Sequence, residues 1–293
     1  MANFKTMGRP NPLMQYMRQP KIYIRLPSQG KYWANGALEM TETEDLPVYA
    51  MTAKDELTFK TPDALLNGQG VVDVIQSCVP NIKNAWECPN IDLDAILIAI
   101  RIATYGNKME VSHTVPNTTE TVTHDVDLSQ LLDQIFTNAQ WIEQVEINDT
   151  LTCYLRPLTY RHVTKTSLKA FEAQKIMQVV NNDSYSEEQK IDSFGKSFNT
   201  MTQITVDLIT DSIFAIKTPD DSVDEPAFIH EFISNADSVV FNKIQDHINK
   251  MRDLNSLKPL IVTATPEQIE LGAPETYEMP VGFDNANFFG NGS

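Results

Sequence analysis

The spacing of apolar residues divides the chain into a front part of strands and short helices and a back part of long helices. Residues 21–26 (Lys21, Ile22, Tyr23, Ile24, Arg25, Leu26) alternate and predict a strand, and Pro27, Ser28, Gln29 and Gly30 supply the turn chemistry after it. Residues 46–51 predict a partner strand, with Pro47 marking an edge. Thr61 as N-cap and Pro62 at the first helical position predict a helix running towards Cys78, with Leu65, Leu66, Val71, Val74 and Ile75 inward. Gly68 and Gly70 weaken that helix enough to split it. Asn90 predicts the cap of a helix over 91–105, stopped at Gly106. That helix is apolar on almost every side, which marks it as the centre of its domain. Residues 109–113 and 119–126 read as a hairpin around Pro116 and Asn117, followed by a short helix at 128–136 and a strand pair over 145–155.

The second half turns helical. A helix opens at Thr159 or Tyr160 and reaches about Val180. Ser186, Glu187, Glu188 and Gln189 form a capping-box pattern. The helix behind it carries Ile191, Phe194, Phe198, Met201, Ile204 and Leu208 at three- and four-residue steps, a stripe expected to pack against the helix at 161–180. Residues 217–225 read as an acidic loop, Pro226 starts another helix, and Asp237 caps a further one with Val240, Ile244, Ile248 and Met251 aligned. Lys250 and Arg252 suit the C-terminal end of that helix. After Pro259 comes a short strand over 260–263 and then a Pro- and Glu-rich tail. The expected fold class is therefore α+β: an N-terminal mixed strand and helix domain with a β-hairpin, then a mainly α-helical half, with extended terminal arms. The expected organisation is an extended basic arm over 1–20, an α+β core domain over 21–157, a helical domain over 158–256 and an extended C-terminal tail over 257–293.

Charge sharpens this picture. The chain carries a formal net charge of -16, yet residues 1–31 hold six basic side chains and no acid. A strongly acidic body repels nucleic acid and anionic membranes, so neither is an expected partner. The basic arm fits an acidic partner, an acidic face of its own body, or solvent. No apolar run approaches the ~18 residues that span a bilayer, and residues 1–19 lack a signal-peptide pattern, so synthesis in a cytoplasm is expected. Three widely spaced cysteines, Cys78, Cys88 and Cys153, argue for buried reduced thiols rather than a disulfide framework.

Candidate chemistry is sparse. There is no Cys-x-x-Cys, and His230 beside Glu231 lacks the second histidine of a zinc-protease helix. His113, His124, Asp125 and Asp127 lie on two arms of one hairpin, where surface decoration is the plainer reading and no metal or cofactor is expected. Gly68 and Gly70 do not complete a dinucleotide fingerprint. Cys153 with His162 is the one nucleophile pair worth weighing, against a structural thiol. Asp92 and Asp94 fall on different helix faces, so they form no shared-proton dyad and no catalytic residue is expected. Partner binding leaves stronger marks. Both chain ends carry large apolar side chains: Phe4, Leu13, Met14, Tyr16 and Met17 at one, and Tyr277, Met279, Phe283, Phe288 and Phe289 at the other. Either they fold back on their own domain or they dock in neighbouring chains, and both readings stand.

Several motifs occur in a recognisable order: Ile24-Arg25-Leu26-Pro27-Ser28-Gln29-Gly30-Lys31-Tyr32, then Met51-Thr52-Ala53-Lys54-Asp55-Glu56, Thr61-Pro62, Leu65-Leu66 with Gly68, and Ile100-Arg101 with Tyr105-Gly106. Together they resemble the T-even-type myophage baseplate hub and hub-assembly protein family over roughly residues 20–135. The closing Phe283-Asp284 and Phe288-Phe289 also look similar. The resemblance implies a non-catalytic, chaperone-like assembly factor that binds hub proteins while a contractile tail baseplate is built. Its expected places are the host cytoplasm during assembly and the virion tail baseplate. A stoichiometric structural subunit of the hub is the alternative it leaves open, followed by a tape-measure chaperone or a hydrolase. It also implies other baseplate hub and tail proteins as partners, with self-association a further possibility. Relatives carry a Cys-Pro-x-Cys knuckle where this chain has residues 112–118 without cysteine, so its hairpin must hold by pairing and packing.

Overall fold

The computed structural model describes Leu13, residues 17–59, 67–180 (side chains through 175) and 186–280, and its architecture is α+β. Strands β1 (Pro20–Ile24) and β2 (Leu46–Tyr49) pair antiparallel, with Ile24 opposite Leu46. Helices α1 (Ala53–Phe59) and α2 (Gln69–Cys78) follow. Gly68 takes a left-handed conformation at φ 78°, so α2 starts only at Gln69. A side chain at Gly68 would also place its Cβ 2.9 Å from Thr164 Cγ2, so this glycine serves both the turn and a close approach. The expected helix start at Thr61 and Pro62, with Leu65 and Leu66, lies outside the described residues.

Helix α3 (Asn90–Tyr105) is the axis of the first core, with Ala95 to Ile100 all at most 3% exposed. Asn90 is not its cap. Pro89 takes that position, bridged to Thr159, and the Asn90 N–H donates to the Leu158 carbonyl at 2.8 Å. One turn in, the fully buried Asp92 accepts hydrogen bonds from the Ser28 amide (2.7 Å), the Ser28 hydroxyl (2.5 Å) and the Trp33 indole N–H (2.8 Å). Burial pushes its carboxyl up to about 6 against the pull of those three donors. The turn after β1 is thereby tied to the central helix.

Strands β3 (Lys108–Thr114) and β4 (Thr121–Asp127) form the expected hairpin, and Asp127 caps α4 (Leu128–Asn138) by accepting from the Ser129 amide. Strands β5 (Gln144–Asn148) and β6 (Leu151–Leu155) follow, then the long helices α5 (Tyr160–Val180) and α6 (Glu187–Ser212). Strands β7 (Ile213–Lys217) and β8 (Ser222–Val223) extend the sheet in the antiparallel order β5-β6-β7-β8, so part of the expected acidic loop is an edge strand. Helices α7 (Pro226–Asn235) and α8 (Ser238–Asn255) cover it. Val145, Ile147, Cys153, Leu155, Ile209 and Ile244 belong to one second core. Strands β5 and β6 therefore share their core with the helical half, although the expected boundary falls after them, at 157.

Residues 260–279, expected within an extended tail, fold as strand β9 (Leu260–Thr263), helix α9 (Pro266–Glu270) and strand β10 (Thr276–Met279). Met279 pairs opposite Leu260, and Thr265 with Gln268 makes a second capping box. Tyr277 and Met279 are buried against their own chain, so for these two residues the fold-back reading holds. Tyr277 shares a hydrogen bond of 3.0 Å with His113 Nε2, which clasps the ribbon onto the β3–β4 hairpin. At the other end Arg18 donates to the Ala50 carbonyl and the Ser77 hydroxyl and sits 3.6 Å from Asp55, so this arm residue docks on an acidic site of its own body.

Candidate docking face on the helical hairpin

Helices α5 and α6 run antiparallel, and small residues bring them together. Ala173 and Ser197 are each 1% exposed, and the Ser197 hydroxyl donates to the Ala173 carbonyl at 2.9 Å. Ile204 closes the same seam, and Lys169 pairs with Asp207 at 3.0 Å. The Ser186 and Gln189 capping box starts α6 as expected.

The apolar stripe, however, does not point where its periodicity predicts. Ile191 is 71% exposed, Phe194 50%, Phe198 63% and Met201 47%, and only Ile204 of the expected inward set is buried. The seam is marked by Ala173, Ser197 and the stripe's own Ile204, which leaves the larger side chains beside it. Phe171 of α5, not singled out from sequence, is also exposed and extends the face. Phe194 and Phe198 stack with centroids 6.5 Å apart, and Lys175 Nζ lies 4.4 Å above the Phe171 ring. Between the helices runs a groove of about 670 Å³ with Ser167, Ala170 and Ser197 on its floor and Phe171, Phe194 and Phe198 as walls. Full burial of one such side chain is worth about 1.5–3 kcal/mol, so Phe171, Phe194, Phe198 and Met201 together form a strong drive for contact with another apolar surface.

A model of the T4 bacteriophage base plate protein family matches residues 19–263. The chain belongs to that family. No curated protein and no solved structure matches it. The motifs between Ile24 and Gly106 hold the fold of this baseplate protein. Ser28 binds Asp92; Lys31 Nζ (2.5 Å) and the Tyr32 hydroxyl (2.9 Å) both reach Glu143 Oε1, joining the first core to the strand leading into the second. Those bonds, the one from Lys31 foremost, hold the Glu143 carboxyl below its usual range. Arg101 stacks 5.2 Å over Tyr105, and the Thr52 amide and hydroxyl donate to Asp55 at 2.8 Å.

The other candidates in the baseplate protein stand apart from the hairpin. Among the terminal partner-binding candidates, Leu13 and Met17 are exposed, while Phe4, Met14, Tyr16, Phe283, Phe288 and Phe289 lie outside the described residues. Cys153 is buried in the second core, with its thiol pushed up to about 12 by burial. The His162 ring bonds Thr159 Oγ1 at 2.8 Å and faces Asp211 at 3.9 Å. Cys78 and Cys88 are likewise fully buried and free of disulfides. His113 and His124 stack at 5.1 Å, yet among the described residues no group of three or more His, Cys, Asp or Glu is placed to hold a metal. Among the same residues no helix is long and apolar enough to cross a membrane.

Proposed function

We propose that this baseplate protein is a non-catalytic, chaperone-like assembly factor of the hub, which works in the host cytoplasm by contact with other protein chains. The observation that carries the reading is the α5–α6 face, where four exposed large apolar side chains, Phe171, Phe194, Phe198 and Met201, line one groove. Such a surface is costly to leave in water and suits a protein whose task is association. The hub, rather than another part of the baseplate, is favoured by the order of the motifs over residues 20–135.

Two measurements test it. Co-expression with the hub proteins, then purification through one of them, should recover the wild-type chain and lose it when Phe194→Ser and Phe198→Ser are combined. Equal recovery of a folded double variant sinks the contact reading. Quantitative mass spectrometry of purified virions should find the chain far below one copy per hub subunit. Stoichiometric amounts would instead make it a structural subunit of the baseplate.

A further inference from the structure

We infer that the cleft where the two cores meet is a docking site for this chain's own C-terminal segment, with Phe288 and Phe289 against its apolar walls. The inference concerns a surface other than the α5–α6 face and stands apart from the assembly reading. The first turn of α3 forms one wall of the cleft, α5 and α6 another, and α8 a third. Leu93 packs on the first core, whereas Trp141 and Ile248 pack on the second. These three, with Leu158, Val163 and Leu208, line a space of about 560 Å³, and each is only partly buried. That volume and that lining suit an inserted apolar body, because every wall it covers leaves water. Asp94, also on the α3 wall, has its carboxyl pushed up to about 6 by burial and accepts no hydrogen bond from the described residues. The carboxamides of Asn285 and Asn287 are donors of the kind it lacks.

Residues 281–293 lie outside the described residues, but the place where the described chain stops names them as the occupant. Strand β10 runs antiparallel to β9, and its last residue, Met279, stands opposite Leu260, the first of β9. Continued, that course takes the chain back beside the connection out of α8. Asn255 and Ser256, where that connection begins, line the cleft. Paired strands stand about 5 Å apart and extended chain spans at most about 3.6 Å per residue, so Met279 lies within about 20 Å of Ser256. The stretch from Met279 to Phe288 reaches up to about 30 Å, enough to pass the rim and enter. The N-terminal arm starts from the other end of the first core. Its Arg18 is held at the Ala50 carbonyl, and the next amide, of Met51, donates to Thr104 at the far end of α3. Charge agrees with reach. Asp284 is the one charged side chain of residues 281–293, so the acidic body repels the segment only weakly. Arg252, one turn before Asn255 on α8, lines the cleft and offers Asp284 a cation. Its ion pair with the exposed Asp253, at 3.6 Å, is of the surface kind that is readily exchanged.

The full chain with Phe288 replaced by the photo-cross-linker benzoylphenylalanine tests this. Irradiation and peptide mapping should place the adducts within residues 90–94, 205–212 and 245–256, in a product that still runs at 33.0 kDa. Adducts elsewhere on the chain, products of twice that mass, or no adduct at all overturn the inference. A second measurement reads affinity by fluorescence anisotropy. A labelled peptide of residues 281–293 should bind the full chain carrying Phe288→Ser and Phe289→Ser at least about tenfold more tightly than the wild type, whose own segment fills the cleft. Adding Arg252→Glu to that variant should weaken capture at least about threefold, and a peptide with Asp284→Lys should regain it. Position 252 is exposed, and circular dichroism confirms that each variant is folded. Equal binding to wild type and variant, or no rescue by the reversed peptide, overturns the inference as well. Hub capture by Phe194→Ser with Phe198→Ser is read in a separate assay, so either reading fails without the other.

Discussion

Replacing Phe198 by serine separates a docking side chain from a core one. Phe198 is 63% exposed, so the isolated chain buries a little over a third of it. Full burial of a phenylalanine is worth up to about 3 kcal/mol, and that fraction of it gives a loss of about 1 kcal/mol. Serine and phenylalanine have similar helix propensities, so the backbone adds little. Were the stripe packed inward, as its periodicity predicts, truncation would cost about 3–5 kcal/mol. Urea unfolding followed by far-ultraviolet circular dichroism, in dilute protein, reads the difference directly. A loss above about 3 kcal/mol in dilute protein would refute the exposed placement.

Other consequences concern the fold that carries the face. The Asp92 carboxyl is raised to about 6 in the folded chain from 3.8, so the folded state holds the extra proton between those values and its stability falls as pH rises through that window. Relative to Asp92→Asn, the wild type should therefore gain about 1 kcal/mol from pH 7 to pH 5 in urea unfolding, and no relative gain would contradict the burial argument. Gly68→Ala should cost about 1–2 kcal/mol by the same assay, from its left-handed backbone and the approach to Thr164, and an unchanged midpoint would contradict both causes. Burial and then the neighbouring His124 hold the His113 imidazole below its usual value. A histidine depressed in the folded state stabilises above its unfolded value and loses that contribution as pH falls through about 6.5, so the clasp should loosen in acid. Deuterium exchange at residues 276–279, corrected for intrinsic rate, should then speed up between pH 7 and pH 5.

What the sequence disclosed follows from which forces are local. The Ser186 capping box and the all-round apolar α3 were legible because each is decided within a few residues. Asn90 misled because Pro89, pinned by its bridge to Thr159, starts the helix one residue early. Strand β7 gave no turn signal, since it continues directly from α6, although Ile213 and Ile216 bracket a short apolar run. The C-terminal ribbon offered the Thr265 and Gln268 capping pattern, but its stability comes from the distant His113 and Val115. The docking face is the instructive case. Periodicity shows that one side of α6 is apolar, and says nothing about whether the surface that covers it belongs to the same chain.

A complementation assay places the central claim at most risk. Host cells supplying either the wild-type chain or Phe194→Ser with Phe198→Ser are infected with a phage lacking this gene, and infectious progeny are counted alongside the level of folded protein. The account expects the wild type to restore the yield and the variant, at equal soluble abundance, to leave baseplates unfinished. Full yield from the variant would mean that baseplate construction does not pass through this face.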